Sequence, residues 1–365
     1  MDIVLRERRT PTLHDFPYRG EGRKCYHKWI INVTPPGSGN CLHSCLYCYA
    51  RDAVYARGSG DGTVVYSNLA SMVEKELGKL GLCPPVSISN VTDPCQDVPE
   101  LRQAVKELVE VLARWGVSFH VITKGDPSFL SEVSGFPGKG RFFLAVTIEG
   151  APEVLELLSP RAPAYEKRLR AVGWAASLGL PALVRLDPVI PPLWRALFGE
   201  KWMDRADAVL ADFAAAGAGH VVSSTGRFTA STRSRLRDVV GILSCREGER
   251  MMRDYIYDRS YTSSGYMLRH DMRLSFHRDM REAAKGWGMT YAVCQELGPG
   301  EADTPGLPHC EGFTMPFSRR VGPCEFEPIP GCSANCHSAC RDLAEPPCGR
   351  PQLVRDEPYK PSMLR

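Results

Sequence analysis

Short apolar runs alternate along the chain with longer stretches whose apolar positions recur at helical spacing. KWIINVTP, residues 28–35, reads as a buried strand, and a Gly/Pro turn, PPGSGN, follows it. LASMVEKELGKL predicts a helix over 69–80, and VSISNVTD predicts a strand over 86–93 that ends in polar residues. PELRQAVKELVEVLARWG is strongly periodic and predicts a helix over 99–116, stopped by Gly116. SFHVITKGD and RFFLAVTIEG read as strands, and 151–179 as helix broken near Pro160 and Pro163. PALVRLDPVIPP is a further strand, MDRADAVLADFAAAGA a helix, and HVVSSTGRF a strand. Six β-then-α units of this kind predict an α/β chain with a parallel sheet and helices outside it.

The pattern changes near residue 231. STRSRLRDVVGILSCREGERMMRDYIY predicts an Arg-rich helical region, YTSSGYMLRHDMR a turn and a further helix start, and MTYAVCQE a last strand. Beyond 297 the chain is rich in Pro, Gly and Cys with little periodicity. Such a tail has a weak apolar core and is expected to need an outside constraint. The boundaries expected are therefore 1–24 for an N-terminal segment, 25–230 for the main α/β unit, 231–296 for a helical region completing the core, and 297–365 for a Cys-rich extension.

Composition narrows the class. The chain has 365 residues, 43% of them hydrophobic, enough for a sizeable core. A formal net charge of +3 is too small to argue for a nucleic-acid partner. No stretch is long and apolar enough to span a membrane, and the charged start MDIVLRERRTPTLHDF has no apolar signal core. The expectation is a cytoplasmic protein without a membrane partner. Fourteen cysteines in a reducing compartment then point to metal ligation before disulfides.

Three of these cysteines are bunched. Cys41, Cys45 and Cys48 lie in GNCLHSCLYCYARDA with C-x3-C-x2-C spacing, directly after the first strand, and a helix is expected to run on through ARDAVYA. Structural zinc asks for four ligands, usually as two separated pairs, and no second pair follows nearby. A thioredoxin-type pair would leave Cys41 unexplained. Three thiolates can hold three irons of a cubane cluster and leave the fourth iron open.

The motif, with Tyr47 just before its last cysteine, resembles the radical S-adenosylmethionine (SAM) superfamily. Taken with SISNVTDPCQ, FHVITKGD, LAVTIEG and VRLDPVIP, it is similar to the spore photoproduct lyase-like branch, over roughly residues 25–230. The resemblance implies a partial (β/α)6 radical-SAM barrel carrying an irregular Cys-rich C-terminal extension. It implies a [4Fe-4S] cluster on Cys41, Cys45 and Cys48, SAM as cofactor, and a low-potential electron donor such as flavodoxin or ferredoxin. By the same resemblance Tyr47 packs beside the adenine, and Asp93 lies near the methionine or ribose part of SAM. Lys124 lies near its carboxylate, Thr147 near its nucleoside, and Arg185 within reach of the carboxylate or the substrate. His43 reads as a structural hydrogen-bonding residue. The implied reaction is reductive cleavage of SAM and abstraction of a substrate hydrogen atom. Whether the enzyme is a lyase, mutase or transferase stays open.

One departure bears on substrate. The lyases use a cysteine three residues before the aspartate that matches Asp93, and here that position is Asn90. Cys95 is the nearby candidate for its catalytic role, against the reading of an ordinary buried cysteine. A small-molecule or peptide substrate is therefore expected ahead of DNA repair. Nucleic acid is the alternative, supported by Arg233, Arg235, Arg237 and other arginines near Tyr255, Tyr257, Tyr261 and Tyr266. Interleaved acids such as Asp238, Glu247 and Asp254 favour a salt-bridged helix face instead. A non-catalytic zinc or iron–sulfur protein is the remote alternative.

The tail holds Cys324, Cys332, Cys336, Cys340 and Cys348, and GCSANCHSAC would place three of them on one helical face. A second [4Fe-4S] cluster is expected there ahead of zinc. Cys294 and Cys310 are further candidate ligands.

Overall fold

The computed structural model describes residues 2–15, 25–52, 62–136, 141–259, 265–313, 315–353 and 361–365. Seven apolar runs form the strands β1 (Trp29–Ile31), β2 (Val86–Ile88), β3 (Phe119–Thr123), β4 (Phe142–Thr147), β5 (Ala182–Leu186), β6 (His220–Ser223) and β7 (Thr290–Val293). They pair side by side in chain order, all parallel. A two-residue strand, His14–Asp15, adds antiparallel to β1 at the far edge. All six residues of β4 are buried, as expected for a parallel strand covered on both faces.

The sheet is curled. Cys25 meets Cys310 in an apolar cluster with Ala292 of β7. The next residue, Tyr26, hydrogen-bonds His120 of β3 at 2.5 Å. On a flat sheet β3 and β7 would stand about 19 Å apart, beyond what two adjacent side chains span comfortably. Phe313 likewise meets both Phe143 of β4 and His220 of β6. Strand β7 and the His14–Asp15 strand remain the two edges, so the curl is an open, partial barrel. Residues 25–28 and 309–313 fill its concave side.

The outer layer contains α1 (Leu69–Leu77), α2 (Pro99–Trp115), α3 (Tyr165–Ser177), α4 (Pro191–Phe198), α5 (Trp202–Ala215), α6 (Ala230–Leu243), α7 (Cys245–Asp254) and α8 (His270–Gly286). Helix α2 follows the predicted periodicity. It buries Leu101, Val105, Leu108, Val109, Leu112 and Trp115 and ends at Gly116, whose φ of 69° suits the left-handed cap. The break expected near Pro160 and Pro163 separates a short helix, Pro152–Leu158, from α3.

Several expectations are corrected. Pro191 and Pro192, read as the end of a strand, instead open α4, where a missing N–H costs nothing. The region read as one long helix from 231 is two helices. Ser244 caps the second, its side chain accepting the Glu247 N–H. Tyr255–Asp258 is then a strand, paired antiparallel with Gly265–Leu268. The β preference of Tyr-Ile-Tyr and the cross-strand pairing outweigh the helical reading. The helix expected through ARDAVYA is described only over Tyr49–Asp52, and its continuation, like the 261–264 turn, lies outside the described residues.

The tail is not short of core. Ser318–Gly322 and Glu325–Pro328 form a hairpin that pairs with Leu82–Cys83. Phe317, Phe326, Leu353 and Leu364 are buried. Arg320 lies over the rings of Trp115 and Phe326 and donates to the Leu80 carbonyl. Its order comes from packing on the main core. Within GCSANCHSAC the helix spans Cys336–Ala339, so Cys332 and Cys340 flank a single turn instead of sharing a long helical face.

Candidate active site at the strand carboxyl ends

Strand β1 delivers the chain to the cysteine loop, and the loops after β2, β3 and β4 meet it there. Asn40 accepts the Val64 N–H through its side chain at 2.8 Å. Gln96 accepts the Leu42 N–H at 2.6 Å and donates back to the Asn40 and Asp93 carbonyls. The Leu46 N–H reaches the Leu158 carbonyl at 2.8 Å. The motif is thus pinned at both ends by backbone hydrogen bonds to neighbouring loops. Cys45 is buried, and Cys41 and Cys48 are half-buried.

Asp93 organises the second side. It accepts from the Thr123 hydroxyl at 2.6 Å, the Lys124 N–H at 2.6 Å and the Cys95 N–H at 2.8 Å. His43 of the motif lies 3.1 Å from Asp93 Oδ2, at ion-pair distance. Burial disfavours this carboxylate, but His43 and the donors outweigh it and hold its pKa well below the usual range. Asp93 therefore acts as a clamp between the cysteine loop and the β3 loop, with His43 beside it at ion-pair distance. The clamp needs close backbone approach. A Cβ on Gly125 would lie 2.0 Å from the Cys95 carbonyl oxygen.

A third group was not foreseen from the sequence. Glu149, fully buried after β4, bonds the Tyr47 hydroxyl with one oxygen and the Arg168 guanidinium with the other. Lys124 Nζ stands 3.6 Å from Glu149 and 5.6 Å from the centre of the Tyr47 ring. Burial works to raise the Glu149 pKa, but Arg168 and then Lys124 bring it down to about 2. Burial likewise opposes the Lys124 charge, yet Cys45 and Glu149 hold its pKa above the ordinary value. Glu149 sits in the quoted AVTIEG run, two residues past Thr147. Its signal was a lone acid within an otherwise apolar strand end. Arg168, on α3, had no sequence signal.

The remaining candidates lie in distinct places. Thr147 is buried, and its carbonyl accepts from Arg168. Arg185 is in register with Thr147 on the neighbouring strand but turns to Asp187 at 3.1 Å, Glu311 at 3.5 Å and Cys294 Sγ at 3.4 Å. Cys95 is 1% exposed and packs in the hydrophobic core. Asn90 accepts from Ser87 through its side chain and from the Tyr49 hydroxyl through its carbonyl.

The other thiols fall into two groups. Cys310 sits against Cys25 in the barrel, with Cys294 close enough to feel its charge, so neither candidate ligand joins the tail. In the tail, Cys332 accepts N–H groups from Phe317 at 3.5 Å and Ala334 at 3.4 Å, and Cys332 and Cys348 both act on Cys340. Cys336 is buried in the same segment, and Cys324 is exposed.

The motif thiols suit a cationic iron–sulfur group. Burial raises Cys41 to about 11 and Cys45 to about 12, so both stay neutral until a metal displaces the proton. Among the described residues no three His, Cys, Asp or Glu side chains gather closely enough to hold a single metal ion. Three soft sulfurs within eight residues are the donor type an iron–sulfur cluster takes.

No family model matches the sequence, and no curated protein is similar to it. Solved structures are. The chain superposes on a doubly substituted spore photoproduct lyase with bound AdoMet and dinucleoside spore photoproduct. The TM-score is 0.55 at 17% identity, covering 80% of this chain and 81% of that one. A cysteine-to-serine mutant of the lyase gives 0.56 at 16%, over 80% and 82%. The lyase complexed with dinucleoside spore photoproduct gives 0.53 at 15%, over 80% and 82%. The partial barrel, with a cysteine loop at the carboxyl end of its first strand, has the fold of spore photoproduct lyase.

Proposed function

We propose that the chain is a radical SAM enzyme. One observation carries the reading. The C-x3-C-x2-C loop lies at the carboxyl end of β1, where sites of parallel α/β folds gather, and it is locked to a charged cluster of Asp93, Lys124 and Glu149. In this reading Cys41, Cys45 and Cys48 hold a [4Fe-4S] cluster and leave one iron open for SAM. Bound there, the two groups supply a 5′-deoxyadenosyl radical. Tyr47, fixed by Glu149, offers an aromatic face for the adenine. Lys124 offers an ammonium for the carboxylate of SAM. Asp93 and Thr147 shape the pocket behind them, and Arg185 faces the substrate side. A low-potential flavodoxin or ferredoxin supplies the electron. The tail cysteines are proposed as a second [4Fe-4S] site, with zinc as the alternative. Two amide N–H groups directed at Cys332 support this, because such bonds favour thiolate sulfur.

The substrate proposed is a small molecule or peptide. Asn90 replaces the thiol of the photoproduct lyases, and the alternative, Cys95, is enclosed. Nucleic acid is a second reading, favoured by one surface. Arg233 stacks 3.7 Å from the centre of the Tyr266 ring, and Arg259 lies over the half-exposed Tyr257. Anaerobic reconstitution followed by dithionite reduction tests the main reading. Methionine and 5′-deoxyadenosine should form, and a Cys45→Ala variant should form neither. A protein carrying four irons that neither binds nor cleaves SAM would overturn it. Affinity for oligonucleotides that falls steeply with salt would select the second reading.

A further inference from the structure

Inside the curl, away from the motif, two cysteines from opposite ends of the chain stand together. Cys25 Sγ and Cys310 Sγ are 3.6 Å apart, and the residues are separated by 285 positions. Both are buried, at 5% and 2% exposure. Cys294 is a half-buried third thiol whose charge acts on Cys310, and Arg185 Nη2 lies 3.4 Å from its sulfur. Of the three thiols Cys294 is the one not fully enclosed, and the guanidinium offsets part of the burial that raises its pKa to about 12. No third or fourth donor completes a site for a single ion among the described residues. Two sulfurs in contact at 3.6 Å can close to a disulfide, which needs them to approach to about 2.05 Å.

The segment that carries Cys310 is inserted tightly. Gly312 lies against the His220 ring, where a Cβ would come within 2.7 Å. His220 Nε2 is 2.9 Å from the Cys310 carbonyl. Glu311 is held by Lys28 at 3.2 Å and by Arg185 at 3.5 Å. A bond between Cys25 and Cys310 would fasten this segment to the chain entering β1, and would keep Glu311 on Arg185.

We propose that Cys25 and Cys310 are an oxidisable dithiol, closed to a disulfide by exchange with a low-molecular-weight disulfide, with Cys294 as the entry thiol. The Cys294 thiolate attacks the external disulfide and one external thiolate leaves. Cys25 then displaces the second external thiol by forming a bond to Cys294, and Cys310 attacks Cys25 and returns Cys294 as a thiol. In sum two protein thiols lose two electrons and two protons, and the external disulfide leaves as two thiols.

The test incubates the full chain with oxidised glutathione, blocks free thiols with iodoacetamide, and digests it for mass spectrometry. A peptide joining Cys25 to Cys310 is expected, reversed by dithiothreitol and absent in Cys310→Ser. Cys294→Ser should still form it, about tenfold more slowly. Thermal melts of the reduced variants show whether each is folded. Wild type itself decides the matter independently of any variant. Recovery of Cys25 and Cys310 fully alkylated after oxidation would overturn the proposal. So would their protection by a stoichiometric metal ion, or equal rates with and without Cys294.

Discussion

Replacing Glu149 by Gln isolates the buried charge that holds Tyr47 and Lys124. The side chains of Glu149 and Arg168 are both fully buried. The carboxyl pKa falls from its ordinary 4.5 to about 2 in the fold. At 1.36 kcal/mol per unit, that difference is worth about 3 kcal/mol at pH 7. Removing one partner of a buried pair costs about 3–5 kcal/mol by a separate route. The lower end applies here, because Arg168 keeps bonds to the Pro163 and Thr147 carbonyls and to the Ser159 hydroxyl. The folded carboxyl titrates below the unfolded one. Its stabilisation is therefore complete above about pH 4.5 and is lost as pH falls toward 2. Urea unfolding of wild type and Glu149→Gln should differ by about 3 kcal/mol at pH 7 and about 2 kcal/mol near pH 3.5. Other carboxylates cancel in the difference. A gap that does not change with pH would mean that shape, not charge, makes the contribution, and no gap at pH 7 would refute the role of Glu149 altogether.

Further outcomes follow from the same geometry. The triple variant Cys41→Ala, Cys45→Ala, Cys48→Ala should lose about four irons per chain, and any iron left behind belongs to the tail; iron analysis after reconstitution checks this. Lys124→Met should weaken SAM binding at least about tenfold by calorimetry, with an unchanged circular dichroism spectrum. Gly125→Ala forces a Cβ into the Cys95 carbonyl and should destabilise by about 3 kcal/mol, which an unaltered melting temperature would contradict. Arg320→Ala removes bonds to the Leu77, Leu80 and Pro323 carbonyls, and limited proteolysis should then cut the tail faster than in wild type.

The parallel strands and their helices were legible because each carries its own period. β4 and α2 announce themselves without reference to anything distant. The cysteine loop was legible for a similar reason, since its C-x3-C-x2-C spacing is local. Glu149 and Arg168 were not. Their meaning arises from an ion pair between the end of a strand and the helix after it, and a single buried acid or arginine has no spacing to read. The strand at Tyr255–Asp258 was missed because its pairing partner, Gly265–Leu268, decides it. An isolated stretch of Arg, Met and Tyr is compatible with a helix until that partner is in place.

The tail shows how far the same reasoning extends. Its Pro, Gly and Cys content suggested a segment ordered by metal. Packing of Phe317 and Phe326 and the pairing of Ser318 with Cys83 tie it to the main core as well. A metal bound at Cys332, Cys340 and Cys348 would thus add to a segment already folded, and its removal should leave the Leu82–Cys83 pairing intact. The thiols consequently divide by what surrounds them instead of by their order in the chain. Cys41, Cys45 and Cys48 stand beside fixed charges at the strand ends, where the proposed iron–sulfur group would find its ligands. Cys25 and Cys310 touch each other deep in the curl, at the distance from which the proposed bond would form. Sequence spacing joined Cys310 to the tail, and the fold joins it to Cys25.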